Sequence, residues 1–326
     1  GFIGSNFIRF QLASRPDVQI VNLDKLTYAG NPANLASVEN DPRYRFVKGD
    51  IADATLVNKI VSEGGFDVIV NYAAETHVDR SIMDPTAFLT TALFGVHALL
   101  EAVRVHNVPR FIQISTDEVF GAVMEGESAD DARFEPRSPY SAAKAASDHL
   151  VASYWHTYQT PVIITHACNM YGPHHYPEKL FPLFITNLME EKKVPVYGDG
   201  MQVREWMHID DHARAIDALL TRGTLGESYN VGTGDRVPNI EVTKKILALC
   251  GKDEASIEYV KDRAGHDRRY AISSEKIRAE LGWAPQISFD DGLAQTVAWF
   301  KANEAWWKPI KNGDFQKYYE KQYVSR

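Results

Sequence analysis

The feature that most constrains this chain is a regular alternation of short apolar runs with longer amphipathic stretches. Residues 85–106 carry apolar side chains at the i, i+3, i+4 and i+7 positions of a helix. Five runs rich in β-branched residues are apolar without strict alternation, as in strands buried on both faces of a parallel sheet. These runs are 18–24, 44–50, 66–74, 110–116 and 161–167. The alternation predicts a doubly wound α/β fold with a parallel sheet.

The alternation breaks down after Ala167, where short segments rich in Pro, Gly and Trp mix with two further helix patterns. These patterns lie near Glu241–Leu249 and Asp290–Ala302. We therefore expect a smaller, mixed α/β second domain at the C-terminal end of the chain. The predicted first domain comprises residues 1–168 plus about 205–231, and the second comprises 169–204 plus about 232–326.

Composition excludes several classes of function. The chain has 326 residues, of which 44% are hydrophobic and 24% are charged, as in an ordinary soluble globular protein. A net charge of −8 disfavours nonspecific binding to nucleic acid. No signal peptide is visible, and no apolar run approaches the roughly 20 residues of a membrane helix. With cysteines only at Cys168 and Cys250, we expect a cytoplasmic protein without membrane or nucleic-acid partners.

The opening stretch "GFIGSNFIRF" indicates a phosphate-binding turn. Gly1 and Gly4 are three residues apart and an apolar helical run follows them, although an ordinary helix N-terminus would look the same. Asp24 ends a predicted strand 20 residues after Gly4, at the spacing of a carboxylate that binds an adenosine ribose. That carboxylate would repel a 2′-phosphate, which favours NAD over NADP, and Asp50 ends the next strand. We expect the first strand and first glycine, about ten residues, to precede Gly1.

The segment "SPYSAAKAASDHL" places a tyrosine and a lysine together. Ser138 can cap a helix that begins at Pro139, so that Tyr140 and Lys144 lie one turn apart on the same face. A lysine ammonium beside the tyrosine would lower its pKa and favour the phenolate, a usable base. The alternative is a surface Tyr and Lys that only share a helix face.

The segment "QISTDEVFG" places two carboxylates where a strand ends. Thr116, Asp117 and Glu118 lie at the carboxyl edge of the predicted sheet, where α/β proteins bind ligands. Adjacent carboxylates repel each other, although a helix-capping pair is an alternative reading. Together with Tyr140 and Lys144, the pair suggests an acid and a base held near one sugar.

Several segments together carry a family resemblance. The chain resembles the extended short-chain dehydrogenase/reductases and, more narrowly, the dTDP-glucose 4,6-dehydratase family. The resemblance runs from the first residue to about Ile272 and includes the Trp-rich C-terminus. The matching segments are "GFIGSNF", "LDKLTYAGN", "AAETHVDRSI", "STDEVFG", "SPYSAAKAASDHL", "PVYGDGMQVREWMHIDDHARAI" and "GHDRRYAI".

The resemblance implies three sets of site residues. The catalytic set is Thr116, Asp117, Glu118, Tyr140 and Lys144. The cofactor-binding set for NAD is Gly1, Phe2, Ile3, Gly4, Asp24, Lys25, Leu26, Thr27, Asp50, Ile51, Ala73, Thr91, Tyr140 and Lys144. The substrate-binding set is His77, Thr116, Asn169, Glu178, Lys179, Leu180, Pro195, Val196, Tyr197, Arg204, Asn239, Arg263 and His266.

The resemblance also implies a reaction, the dehydration of dTDP-glucose to dTDP-4-keto-6-deoxyglucose. Tyr140 would take the C4 hydroxyl proton while hydride passes from C4 to NAD, and Thr116 would hydrogen-bond the same oxygen. Glu118 would then remove the C5 proton, Asp117 would protonate the departing C6 hydroxyl, and hydride would return to C6. Two alternatives stay open: a nucleotide-sugar 4-epimerase, and a 4,6-dehydratase that acts on another NDP-hexose.

Further expectations concern metals, assembly and departures from the family pattern. His208 and His212 have the spacing of a helical metal pair, but no third ligand is evident and we expect no metal. The helices after Pro85 and Pro139 offer apolar faces for a homodimer, as in the family. Ala92 and Met170 stand where the family usually has asparagine.

Overall fold

The computed structural model describes residues 1–312 together with Phe315, Tyr319 and Gln322. The end of the predicted second domain, residues 323–326, lies outside the described residues. The strands are β1 (Ile20–Asp24), β2 (Tyr44–Lys48), β3 (Ile69–Asn71), β4 (Phe111–Thr116), β5 (Val162–Ala167), β6 (Asn169–Tyr171), β7 (Val194–Tyr197), β8 (Val203–His208), β9 (Ser228–Val231), β10 (Arg236–Pro238) and β11 (Ile257–Val260). The helices are α1 (Phe2–Ser14), α2 (Ala54–Gly64), α3 (Val78–Met83), α4 (Thr86–Leu89), α5 (Val96–His106), α6 (Pro139–Tyr158), α7 (Leu180–Met189), α8 (Ile209–Arg222), α9 (Asn239–Leu249), α10 (Glu275–Leu281), α11 (Phe289–Ala302) and α12 (Glu304–Trp307).

The predicted α/β class with parallel sheets is confirmed, and all five apolar runs contain strands. A four-stranded parallel sheet has the order β3-β4-β5-β9, and β1 pairs with β2 in parallel. The remaining strands form a three-stranded sheet, β10-β8-β6, and a parallel pair, β11-β7. Strands β6 to β11 were not predicted individually, because several have only three or four residues.

The predicted continuous sheet is divided between β1 and β3, which are not hydrogen-bonded to each other. Apolar side chains of both strands, among them Val21, Leu23 and Val70, line a cavity between the two sheets. The sequence analysis expects a further strand ahead of Gly1. That expectation stays a prediction.

Helix α6 begins and packs as its sequence indicates. The Ser138 hydroxyl accepts from the Ser141 N–H, and the Ser141 hydroxyl accepts from the Ser138 N–H, which forms a capping box worth about 1 kcal/mol. Pro139 occupies the first turn, where its missing N–H costs nothing. The helix packs against β4 and β5, so residues on one face of α6 are buried beneath the carboxyl edge of the sheet.

Two of the hydrophobic clusters lie in different parts of the chain. One surrounds β4, β5 and β9 and includes Ile112, Ile163 and Leu219. Another is rich in aromatic residues and includes Phe181, Trp206 and Trp307. The domain boundaries that the sequence analysis predicts stay a prediction.

The segment Thr86–His106 corrects the statement that no apolar run approaches membrane length. It is long and apolar enough to cross a membrane by length and composition, with a mean hydropathy of 1.5. In the structure, 44% of this apolar window is buried inside the protein, where α5 packs against α2 and α6. The core helix of a soluble protein passes the same test, so this feature alone is weak evidence for a membrane span. Between α4 and α5 the backbone makes a π-helical turn over Thr90–Gly95, which contains Ala92.

Candidate active site

A cavity of about 800 Å³ extends from the gap between the two sheets to the carboxyl ends of the parallel strands. It is lined by the N-terminus of α1, by the segments that follow β1, β2 and β3, and by α6. All residues of the predicted cofactor-binding set line it: Gly1, Phe2, Ile3, Gly4, Asp24, Lys25, Leu26, Thr27, Asp50, Ile51, Ala73, Thr91, Tyr140 and Lys144. The structure thus brings together residues that are up to 143 positions apart in the sequence.

The segment after β1 is held in a defined conformation. Asp24 Oδ1 accepts from the N–H of Leu26 at 2.7 Å, and Leu26 adopts a left-handed backbone conformation with φ of 55°. Gly30 approaches Leu26 so closely that a Cβ at position 30 would lie 2.7 Å from the Leu26 Cα. Lys25 Nζ pairs with Asp50 Oδ2 at 2.6 Å, which ties the ends of β1 and β2 together.

Tyr140 and Lys144 face the cavity from α6. Lys144 Nζ donates to the carbonyl of Ile114 in β4 at 2.7 Å, and the Tyr140 N–H donates to Ser81 Oγ at 3.2 Å. The expected lowering of the Tyr140 pKa is not found. Burial raises the pKa of Tyr140 and the charge of Glu118 raises it further, while a hydrogen bond with Thr116 offsets only part of this effect.

Asp117 and Glu118 occupy the short turn that follows β4, and their surroundings differ. Asp117 is 2% exposed and is not part of the cavity lining, whereas Glu118 lines the cavity. Burial raises the pKa of Asp117 well above its ordinary value, and the charges of Glu118 and Glu205 raise it further. The Thr116 hydroxyl donates to Asp117 Oδ1 at 3.3 Å, so Asp117 lies directly behind a residue that lines the cavity. The surroundings of Asp117 therefore favour its protonated form.

Most of the predicted substrate-binding set also lines the cavity, with two exceptions. The lining members are His77, Thr116, Asn169, Glu178, Lys179, Leu180, Pro195, Tyr197, Arg204, Asn239 and Arg263. Val196 does not line it, because side chains alternate along β7 and Val196 points into the aromatic core with 3% exposure. His266 is not in the lining either. Its Nδ1 lies 2.6 Å from Asp262 Oδ1, and its ring packs edge-on against Tyr197.

Basic groups concentrate on the substrate side of the cavity. Arg204 donates to the carbonyls of Val203 at 2.8 Å and Asp267 at 2.9 Å, and its guanidinium lies over the ring of Tyr270 at 4.2 Å. Lys179 Nζ donates to the carbonyl of Thr76 at 2.6 Å. With Arg263, these groups form the local positive region that an anion requires in a chain of net charge −8.

Some contributors to the site were missed by the sequence analysis. Arg80 Nε pairs with Glu178 Oε2 at 3.0 Å, and its guanidinium lies over the ring of Tyr28 at 3.8 Å. The hydroxyl of Tyr270 donates to Asp267 Oδ2 at 2.9 Å and lies 3.5 Å from Glu118 Oε2. Tyr28, Arg80 and Tyr270 lie inside the segments that carry the family resemblance. Their roles depend on contacts across the cavity, which those segments do not reveal.

Buried polar atoms around the site fit polar ligands. In the described part of the chain, Asn169 Oδ1, Asn239 Oδ1 and Asp117 Oδ2 are buried without a hydrogen-bond partner. Such atoms are costly unless a ligand or water satisfies them. The cavity also reaches the carboxyl edge of the sheet, where α/β proteins bind dinucleotides. The residues present therefore fit NAD together with a nucleotide sugar.

The described residues contain no group of three or more His, Cys, Asp or Glu side chains that could hold a metal ion. His208 has a structural role, because its Nδ1 accepts from the Asp210 N–H at 3.3 Å at the start of α8. His212 is fully buried, and its ring packs edge-on against Tyr72.

A doubly wound α/β fold with Tyr140 and Lys144 at the carboxyl edge of the sheet defines an extended short-chain dehydrogenase/reductase. The family model described as GDP-mannose 4,6 dehydratase matches residues 1–296. The dTDP-glucose 4,6-dehydratase of Streptomyces griseus is 48% identical over 312 residues, which cover 95% of this chain and 94% of that protein. The chain belongs to the dTDP-glucose 4,6-dehydratase family.

Solved structures agree with this assignment. The dTDP-glucose 4,6-dehydratase DesIV from Streptomyces venezuelae, with NAD and dTDP bound, has a TM-score of 0.93 and 48% identity over 95% of this chain and 97% of its own. A UDP-glucose 4-epimerase from Thermus thermophilus, in complex with NAD, has a TM-score of 0.84 and 29% identity over 93% and 97% of the two chains. The fold is thus shared with epimerases, and the higher identity lies with the dehydratase.

Proposed function

We propose that this chain is an NAD-dependent hydro-lyase that converts dTDP-glucose to dTDP-4-keto-6-deoxyglucose. The observation that carries the proposal is that Glu118, Tyr140 and Lys144 line one cavity, with the buried carboxyl group of Asp117 directly behind Thr116 in its wall. Elimination of water needs an acid and a base in addition to the tyrosine, whereas an epimerase needs no such pair. The near full-length identity of 48% to a dTDP-glucose 4,6-dehydratase supports the same substrate.

In the proposed reaction the chain first removes the proton of the sugar C4 hydroxyl. When bound, NAD accepts hydride from C4 and returns it to C6, so that the overall reaction is redox-neutral. Tyr140 takes the hydroxyl proton, and the Thr116 side chain, which hydrogen-bonds Tyr140, holds the same oxygen. In this proposal the positive charge of Lys144, one helical turn away, favours the phenolate once the ligands are bound.

The acidic pair then carries out the elimination. A 4-ketone acidifies the C5 proton, which the carboxylate of Glu118 removes, and a proton returns to C5 when hydride adds to C6. Because burial raises the pKa of Asp117, we assign this group as the acid that donates a proton to the departing C6 hydroxyl. Each positioned acid or base of this kind typically contributes a factor of roughly 10² to 10⁴ in rate.

The remaining predicted residues bind the two ligands in this proposal. The N-terminus of α1 from Gly1 to Gly4 receives the NAD pyrophosphate, Asp24 binds a ribose, and Asp50 lies nearest the adenine. Arg204 and Arg263 bind the diphosphate of the sugar nucleotide. Pro195 and Tyr197 form the wall against the pyrimidine. The proposed division into an NAD domain and a sugar-nucleotide domain follows the boundaries predicted from sequence.

We further propose a cytoplasmic homodimer without membrane or nucleic-acid partners. Apolar side chains are exposed on the neighbouring helices α4 to α6: Leu89 is 43%, Phe94 is 67%, Val105 is 52% and Tyr158 is 53% exposed. A second copy of this chain would cover them, and apolar faces of this kind mark interaction sites. The apolar segment Thr86–His106 then packs in the core and at the dimer contact rather than in a bilayer.

The function is tested by incubating the protein with dTDP-glucose in deuterated water and following the mass of the sugar nucleotide. Loss of one water with deuterium at C5 supports dehydration, whereas an isomer of unchanged mass supports the 4-epimerase. A panel of dTDP-, UDP-, CDP- and GDP-glucose separates the proposed substrate from another NDP-hexose, and only dTDP-glucose is expected to turn over efficiently.

A further inference from the structure

The face of α6 that carries Tyr140 and Lys144 continues inward to a third ionisable residue, Asp148. The three residues are spaced four apart, so they lie in one row along the helix. Asp148 is 1% exposed and Lys144 is 8% exposed. The proposed reaction uses the first two residues and leaves the third without a role.

Two polar side chains from adjacent strands lie beside Asp148. The Ser115 hydroxyl in β4 donates to Asp148 Oδ2 at 2.5 Å, and His166 Nε2 in β5 lies 3.5 Å from the same oxygen. Asp148 Oδ1 is buried, and no partner for it exists in the described part of the chain. A buried carboxylate in such a place requires a compensating positive charge.

Lys144 lies one helical turn from Asp148 on the same face of α6, and the charges of the two groups act on each other. Lys144 Nζ is fixed by the carbonyl of Ile114, the residue immediately before Ser115 in β4. One strand segment therefore positions both the ammonium and the carboxylate. Burial lowers the pKa of Lys144, and the charge of Asp148 opposes this shift.

We infer that Asp148 is a positioning residue that, with Ser115, keeps the Lys144 ammonium charged and in place beneath Tyr140. The inference rests on the proposed role of Lys144. The other ionisable groups around this row are Asp117 and Glu118 from the turn after β4, His166 from β5, and Asp130, which interacts with His166 from the loop before α6. Asp117 and Glu118 act on Tyr140, whereas Asp148 acts on both Tyr140 and Lys144.

The first test is the pH dependence of dTDP-glucose turnover in Asp148→Asn, which keeps the shape but removes the charge. Without the carboxylate the pKa of Lys144 falls. As the pH is raised, the variant therefore loses activity at a lower pH than the wild type does. We expect kcat/KM on the alkaline side to fall roughly tenfold, less than the 10² to 10⁴ expected for removing an acid or base itself. The matched control is Ser147→Ala, which removes a buried hydrogen bond with Gln113 on the same helix without changing charge. Ser147→Ala is expected to lose activity at the same alkaline pH as the wild type.

The second test is a double-mutant cycle on unfolding by denaturant, which needs no substrate. Lys144→Met leaves Asp148 buried without its cation, so Asp148→Asn should stabilise that variant although it destabilises the wild type. The inference is overturned if the losses in the free energy of unfolding are additive in the cycle. It is also overturned if Asp148→Asn loses activity at the same alkaline pH as the wild type. If Asp148→Asn does not fold alone, a cooperative transition in the double variant supports the inference, and its absence overturns it. Because the cycle measures folding, failure of the dTDP-glucose assay alone would count against the proposed function and not against this charge pair.

Discussion

The ring of Phe2, at the start of α1, stacks on the imidazole of His175 with 4.2 Å between the ring centroids and 16° between the planes. Asn6, one turn further along α1, donates to the carbonyl of Pro173 at 3.1 Å. These contacts hold the predicted phosphate-binding turn against the segment between β6 and α7. Residues on the NAD side of the cavity therefore contact and support residues on the substrate side.

Removing the Phe2 ring tests this connection. Phe2→Ala loses a stacked pair worth about 1 kcal/mol beyond its buried area, and the N-terminus of α1 loses its support. We expect NAD to bind roughly five- to tenfold more weakly, as measured by calorimetric titration of the purified protein. Tyr259→Ala, at a ring that is 59% exposed on β11, is the control and should bind NAD like the wild type. Equal NAD affinity in Phe2→Ala would show that the stack does not support the turn.

The core of the first domain and its candidate residues were predictable because their signals are local. Strand β4 is six consecutive buried residues, and the spacing of Tyr140 and Lys144 fixes their shared helix face. Strand β6 and strand β10 have three residues each and are defined by pairing with β8, so no local periodicity reveals them.

Two properties of individual side chains also could not be predicted from the sequence. Val196 and Tyr197 are neighbours in β7, and the family resemblance does not say which of them faces the cavity. The raised pKa of Tyr140 depends on burial, which is set by the packing of α6 against β4. Both follow from tertiary structure rather than from a motif.

The roles of Asp117 and Glu118 can be separated by isotope exchange. Asp117→Asn keeps Glu118 and should still exchange the C5 proton with solvent, but it lacks an acid for the C6 hydroxyl. We expect its rate of water loss to fall by roughly 10² to 10⁴, whereas Glu118→Gln should lose both exchange and dehydration. Mass spectrometry in deuterated water measures both. Asp130→Asn changes another carboxyl of raised pKa outside the cavity lining and is the control. Wild-type dehydration by Asp117→Asn would remove Asp117 from the mechanism.

Asp117 should also lower the stability of the fold at neutral pH. Because its pKa is raised in the folded protein, the native state holds a proton that the unfolded chain releases above the ordinary carboxyl pKa. The stability that Asp117 contributes is therefore present in acid and is lost as the pH rises through the folded-state pKa. We expect Asp117→Asn to be more stable than the wild type at neutral pH, with a difference that shrinks in acid. Urea unfolding across this pH range measures it, and a difference that grows in acid contradicts the assigned direction.

His212 should produce the opposite pH dependence. Burial lowers the pKa of His212 from 6.5 to about 3, so the unfolded chain binds a proton below pH 6.5 that the native state does not bind. Its contribution to stability is present above pH 6.5 and declines toward pH 3, with a limiting slope of about 1.4 kcal/mol per pH unit. We expect His212→Gln to show a shallower acid decline in the free energy of unfolding. His156→Gln, at an exposed position of α6, should leave the decline unchanged. An equally steep decline in His212→Gln would place the acid sensitivity elsewhere.

The proposed dimer contact is tested at Phe94, whose side chain is 67% exposed in the π-helical turn between α4 and α5. Leu89 and Val105 extend the same apolar region along the segment Thr86–His106, so a charge at its centre would have to be buried in any contact between two copies. Burial of an unpaired carboxylate costs several kcal/mol, and we expect Phe94→Asp to be a monomer in analytical ultracentrifugation at concentrations where the wild type is a dimer. Tyr259→Asp places the same charge on an exposed ring of β11 and should leave the dimer intact. Because Phe94 is absent from the cavity lining, the monomer should retain NAD, and a Phe94→Asp protein that remains dimeric would move the contact to another face.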